Sequence, residues 1–273
     1  VDIEMIFALR GSKVSPKKLS LQPVYRPHKM KELTTEYEIS SSHVDCRMHY
    51  KASALMCDMQ EAANKHASAI GFGYGDLIKD NCVWVISRIK ARFLRAPLWE
   101  EKVRMTTWHK GMEGIFSLRD FEVRSAADGS VLAAATSSWL IMDVASRKLI
   151  RADHLLQDKG IATMYPKNAL EPSCGKLRTP AGCSMVSSRT VHFSDTDFNM
   201  HTNNSRYIDW ALDCIGADIL KSGDIDEYQI NFNHETVPGD TVDMYMAEKE
   251  GNGYFIEGRK GDTVIFQTFI KFR

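Results

Sequence analysis

The feature that most narrows the folds open to this chain is an order of elements that occurs twice. In the first half a short strand pattern, "TTEYEIS", precedes the helical run "SALMCDMQEAANKHASAIG", where Leu55, Met59, Ala62, Ala63, His66 and Ile70 fall on one face. Four strand patterns follow: "CVWVISRIKARFL", "KVRMTTWHK", "FSLRDFEVRS" and "VLAAATSSWLIMD", with "AADG" as a hairpin signal between the last two. In the second half "SSRTVHFS" precedes "NNSRYIDWALDCIGADILKSG", whose Ile208, Ala211, Leu212, Ile215 and Ile219 share a face. Then come "EYQINFNHE", "DTVDMYMAEKE", "GYFIEGRKG" and "TVIFQTFIKF". One strand, one long helix and four antiparallel strands, twice over, predict an α+β protein. In each unit a bent sheet wraps a helix, and the two units sit side by side so that their sheets join and cover an edge. The Pro/Gly/Ser stretch "EPSCGKLRTPAGCS" divides them. The expected parts are an arm over 1–30, a first unit over 31–155, a linker over 156–186 and a second unit over 187–273.

Composition excludes several classes. Lys and Arg total 35 and Asp and Glu total 35, so there is no basic excess of the kind nucleic-acid binding needs. No apolar run has transmembrane length, and the first residues lack the pattern of a secretory signal. The six cysteines form no CxxC pair, which predicts free thiols and a reducing, cytoplasmic setting.

The densest polar stretch is "SDTDFNMHTNN", immediately before the second helix. Asp195, Asp197 and Asn199 match the first ligands of a calcium loop, but Met200 and Arg206 stand where that loop needs Gly and Glu. His192, His201 and His234 lack a zinc spacing, so no metal is expected. Asn203 or Asn204 can cap the helix. If the segment is extended, Asp197, Asn199 and His201 share one side. They then lie beside helix-start N–H groups suited to an oxyanion, where a carboxylate and an imidazole suit water activation and proton transfer.

These residues resemble the acyl-acyl carrier protein (ACP) thioesterase family, of double hotdog fold. "DTDFNMHTNNSRYIDWALD" is similar to the family's D-x-N-x-H-x-N-N-x-x-Y-x-x-W signature. "MQEAANKHASAIGFG" resembles its Q-E helix through Gln60, Glu61 and His66. "VWVISRIKARFLRAPLWEEKVRMTTW" and "ATSSWLIMDVASRKLIR" resemble two further segments, in the family's order. The likeness runs from about residue 35 to the end of the chain.

The resemblance implies a tandem double hotdog and hydrolysis of an acyl-ACP thioester without a cofactor. It implies catalysis by Asp197, Asn199, His201 and a glutamate in a Y-R-R-E-C-type strand, here Glu235 of "FNHET". The family's cysteine falls on Thr236, which favours water as the nucleophile. Aligning "APLWEEKV" with "TVPGDTV" places Ala96 opposite Glu235, and the first half has no D-x-N-x-H before its helix. By the same resemblance the first unit holds the acyl tail, with Leu55, Met56, Met59 and Ile70 as a wall. Backbone donors near Asn203 and Asn204 meet the substrate oxyanion. The expected partner is an ACP carrying a phosphopantetheine-linked chain, docked on Arg88, Lys90 and Arg92 or on Arg147, Lys148 and Arg151. The protein itself is a monomer or homodimer with no membrane span. The alternatives are an acyl-CoA thioesterase, a non-catalytic acyl-thioester-binding protein, and a hydratase or dehydratase of the same fold.

Overall fold

The computed structural model describes residues 30–152, 165 and 167–273. Nearly all of the expected arm, the end of the first unit and the start of the linker lie outside the described residues. The first unit consists of β1 (Glu32–Glu38), helix α1 (Ala52–Ala69), a short helix α2 (Tyr74–Leu77), β2 (Cys82–Phe93), β3 (Lys102–Glu113), β4 (Phe116–Ser125), β5 (Val131–Asp143) and a stub, β6 (Leu149–Ile150). The second consists of β7 (Ser184–Thr190), α3 (Asn204–Asp213), α4 (Ala217–Ser222), β8 (Ile225–Phe232), β9 (Thr241–Lys249), β10 (Gly253–Lys260) and β11 (Thr263–Phe272). Each is an antiparallel sheet wrapped around a helix, so the chain is a double hotdog.

Two elements depart from the sequence reading. The second helix is not continuous. It stops at Asp213 and restarts at Ala217, and Gly216, with ψ 139°, is the non-helical residue at the break. Strand β8 ends at Phe232, so Glu235 lies in the loop beyond it rather than on a strand face.

The two sheets are one. The strand order is β1-β3-β4-β5-β2-β8-β11-β10-β9-β7, with β6 on β5. The seam is β2 against β8, where Ile89 pairs Ile230 and Ala91 pairs Tyr228. All four of these residues are essentially fully buried. Joining two units here removes an edge from each. The core is also shared: Leu55, Met56 and Met59 of α1 belong to the same cluster as Ile208, Trp210 and Ala211 of α3.

The outer face of the seam is polar in sequence and is covered by residues 167–179. Trp108 Nε1 donates to Lys167 O (2.7 Å), and Ala169 N to Asp120 Oδ2 (2.8 Å). Lys90 donates to Pro172 O, and Arg88 to Cys174 O (2.9 Å). Gln229 and Asn231 both reach Gly175 O, and Thr179 bonds the fully buried Glu257 (2.6 Å). An irregular segment crossing a sheet must satisfy its backbone groups, and these side chains do it. This takes two residues out of one expected dock. Arg88 and Lys90 are engaged beneath the segment, and Arg92 is paired with Glu227 at 2.6 Å.

Because the core is shared, the two units should unfold together. Ile230→Ala is expected to cost about 2–5 kcal/mol. Urea denaturation should show a single transition by both fluorescence and circular dichroism; two separated transitions would contradict the shared core.

Candidate active site

The stretch before α3 is a tight turn, not an extended segment. Phe193–Asp195 form one turn of 3-10 helix, and Thr196 bridges back to Thr202. Inside this loop Asp197 N donates to His201 O (2.8 Å), and Met200 N to Asp197 O (3.1 Å). Met200 takes φ 61°, a left-handed conformation that closes the loop. Asp197 turns its carboxylate inward, where Oδ1 accepts from Asn199 N at 2.8 Å. Asp197 holds the turn, Asn199 is exposed at its tip, and His201 follows at its far end.

The helix start follows at once. Asn203 is the N-cap, its Oδ1 accepting from Ser205 N at 3.0 Å. Its own amide is spent on Asp195 O (2.8 Å). Among the described residues the Asn204 amide meets no protein acceptor, as expected of a first-turn donor. The available donor beside the turn is thus that of Asn204 and not that of Asn203.

The loop after β8 is brought to this turn by its backbone. Thr202 N donates to Thr236 O at 2.8 Å. Thr236 is buried, and its hydroxyl bonds Thr202 Oγ1 (2.6 Å) and Tyr207 OH (2.9 Å). Burial pushes the Tyr207 phenol above its ordinary range. The residue at the family's cysteine position is thus a packing and hydrogen-bonding group. Its neighbour Glu235 points outward, with Oε1 3.6 Å from His201 Nδ1 and Oε2 2.6 Å from Arg147 Nη2. The structure therefore joins His201 and Glu235 directly, with Asn199 and Asp197 in the adjoining turn. Among the described residues no cluster of His, Cys, Asp or Glu could hold a metal ion.

The first unit carries a copy of the same turn. Asp45 N donates to His49 O (2.9 Å), Arg47 N to Asp45 Oδ1 (2.8 Å), and Met48 has φ 61°. Tyr50 N donates to Pro97 O at 2.8 Å, just as Thr202 N does to Thr236 O. Pro97 thus matches Thr236, and Ala96 matches Glu235, the register the sequence alignment gives. Arg47 stands at the position of Asn199, and both Arg47 and His49 turn to Asp224 of the second unit (2.8 and 3.4 Å). The recurrence "DCRMH" and "DFNMH" was the sequence signal for this copy; requiring Asn at the third position hides it.

Leu55, Met56, Met59 and Ile70 are all at or below 4% exposure. The first three pack in the shared core, and Ile70 in a smaller cluster with Phe72, Leu77 and Ile141. The sheet opposite α1 is partly polar. The buried Arg119 donates to His66 Nδ1 (2.8 Å) and Thr107 Oγ1 (3.2 Å). Burial, then the adjacent guanidinium, depresses His66 to about 4, and burial lowers Arg119 to about 10. His66 is therefore a neutral acceptor at Nδ1, with Nε2 3.3 Å from Met30 O.

An antiparallel sheet wrapped on two helices, with an acid–imidazole pair at the second helix start, defines a double-hotdog protein with a candidate hydrolytic site. Two family models match it: the acyl-ACP thioesterase N-terminal domain over residues 30–157 and the C-terminal domain over 180–268. The chain belongs to the acyl-ACP thioesterase family. It is 27% identical over 209 residues to an oleoyl-acyl carrier protein thioesterase of Arabidopsis thaliana, covering 71% of this chain and 57% of that one. It is 26% identical over 212 residues to a palmitoyl-acyl carrier protein thioesterase of Gossypium hirsutum, covering 73% and 51%. It thus spans only a little over half the length of these curated relatives. The crystal structure of an acyl-ACP thioesterase from Bacteroides thetaiotaomicron superposes with a TM-score of 0.80 at 25% identity, covering 89% of this chain and 98% of that one. The 12:0-ACP thioesterase from Umbellularia californica shares the fold, with a TM-score of 0.80 at 21% identity and the same coverage.

The buried histidine gives a stability prediction. The folded state holds His66 near 4 while the unfolded chain takes a proton near 6.5. The unfolded state therefore binds protons first as pH falls. This contribution to stability is complete above about pH 6.5 and is lost progressively toward pH 4. His66→Gln should flatten the pH dependence of unfolding free energy in that window by up to about 1.4 kcal/mol per pH unit. An unchanged slope in urea titrations would show that His66 is not held neutral.

Proposed function

We propose that this chain hydrolyses the thioester of an acyl chain carried on ACP, releasing the free acid and the carrier thiol. The observation that carries the reading is the approach of the Glu235 carboxylate to the His201 imidazole (3.6 Å) at the start of α3, in a member of this family. Glu235 orients a water and takes its proton as the oxygen attacks the thioester carbonyl carbon. The Asn204 amide receives the developing oxyanion. The carbon–sulfur bond then breaks, and the proton taken by Glu235 passes through His201 to the leaving thiolate. Water, acyl thioester, acid and thiol balance with no further reactant.

The remaining residues have supporting roles. Asp197 fixes the turn that aims His201, so Glu235 is the base in this scheme. Asn199, exposed at the turn's tip, positions water or substrate. Asn203 caps the helix and so fixes the Asn204 donor. Thr236, tied to Thr202 and Tyr207, supports water rather than a side chain as nucleophile. The first unit takes the acyl tail against α1, where Leu55, Met56, Met59 and Ile70 form the wall. With Arg88 and Lys90 engaged beneath residues 167–179 and Arg147 paired with Glu235, the carrier dock is placed on Lys148 and Arg151.

The test is thiol release from a panel of acyl-ACPs of different chain length and from the matching acyl-CoAs. The wild-type chain should turn over at least one acyl-ACP faster than its CoA counterpart. Glu235→Gln should lower turnover by about 10²-fold or more, with an unchanged melting temperature. Equal rates on both carriers would point to an acyl-CoA thioesterase. Saturable binding without thiol release would point to a non-catalytic acyl-thioester-binding protein.

A further inference from the structure

Arg147 comes from the first unit, in the turn after β5, yet its guanidinium lies 2.6 Å from Oε2 of Glu235 in the second. It adopts φ 56°, and Arg147 N donates to Asp143 O at 2.9 Å, so the turn that presents it is closed on itself. Asp143 braces that turn further by accepting from Ser146 N and Ser146 Oγ, both at 2.7 Å. Glu235 is thus held from two sides: Arg147 takes Oε2, and Oε1 is the oxygen that faces His201.

The opposite end of the molecule offers a comparison. There the loop after β2 has Ala96 in place of Glu235. The arginine that reaches that loop is Arg273, at the end of β11. Ala96 offers it no carboxylate; it donates to Leu94 O (2.7 Å) and Phe93 O, and its Nε lies 3.4 Å from Asp226 of its own unit. Arg147 and Arg273 both cross between the units, but Arg147 meets an acid of the other unit, whereas the acid beside Arg273 is Asp226 of its own unit.

An exposed ion pair adds little to stability. Arg147 and Glu235 are 56% and 37% exposed, so the pair cannot be explained as a structural clamp. A carboxylate on a loop, however, has several rotamers, and catalysis needs one of them. Resting on the hydrolytic reading above, we infer that Arg147 is a positioning residue: it pins one oxygen of Glu235 so that the other is aimed at His201 and the attacking water. The unit that carries no acid of its own thereby completes the site of the other.

The test is a double-mutant cycle on the acyl-ACP of the panel turned over fastest, with Arg147→Met, Arg147→Lys, Glu235→Gln and Arg147→Met/Glu235→Gln. Arg147→Met should lower kcat by about 10- to 100-fold while KM stays within about twofold. Arg147→Lys should recover part of the loss, because it restores the charge without the planar fork. In the Glu235→Gln background, Arg147→Met should change residual turnover by less than about twofold, because a residue acting through Glu235 has nothing left to act on. Arg273→Met should leave kcat unaltered. Wild-type kcat in Arg147→Met, a loss confined to KM, or an equal loss in both backgrounds would each overturn the assignment. Full turnover by Glu235→Gln would instead show that the hydrolytic reading of Glu235 is wrong.

Discussion

One backbone hydrogen bond organises the candidate site. The Thr202 amide donates to the Thr236 carbonyl, and this sets the turn before α3 against the loop after β8. Both segments are irregular and polar; the loop after β8 is tied at its start to β11, where Asn233 N and His234 N donate to Ile265 O (2.8 and 3.0 Å). The bond is sheltered because Thr202 and Thr236 are buried, with their hydroxyls and that of Tyr207 bonded together beneath it. A buried polar network of this kind is costly to leave half-made, so it specifies one arrangement. Residues on either side, His201 and Glu235, then meet as a consequence of where their neighbours are tied.

The same device in the first unit shows what the fold supplies and what particular residues add. Tyr50 N and Pro97 O make the equivalent bond, and the Asp45 turn has the same internal bonds and the same left-handed methionine. What differs is the chemistry on the frame. Ala96 replaces the glutamate, and Arg47 and His49 are turned to Asp224. That end of the molecule is therefore a contact between the units. The joined sheet and shared core make the two ends parts of one body, and this lets a side chain from one unit contribute at the other's site.

Much of this was legible in the sequence, for identifiable reasons. Apolar spacing on α1 predicted its buried face, because that face must meet a sheet. The four-strand runs were legible from alternation bounded by Gly-containing turns. Ala96 could be matched to Glu235 because the strands that follow, beginning near Glu101 and Asp240, align without gaps. The turn at 196–202 was not separable from an extended segment in sequence, because alternating polar residues suit a strand and an Asx turn equally well. Only the left-handed Met200 and the inward carboxylate of Asp197 separate the two, and neither has a signature in residue type. Arg88 and Lys90 looked like a solvent-facing basic strand; nothing local says that residues 167–179 will cross it. Arg147 meets Glu235 through topology alone, so no spacing rule could pair them.

The account's central claim is that water, held at Glu235, attacks the thioester directly. A carboxylate near a thioester has another route, in which it attacks the carbonyl itself and forms a mixed anhydride before water enters. The two differ in where solvent oxygen goes when water opens the anhydride at the Glu235 carbonyl carbon. In a single turnover with enzyme in excess in oxygen-18 water, direct attack places one heavy oxygen in the released fatty acid and leaves Glu235 unlabelled. Mass spectrometry of the acid and of the peptide containing Glu235 reads both. Label in the acid alone is the result expected here; label in the Glu235 carboxylate, with unlabelled acid, would contradict it.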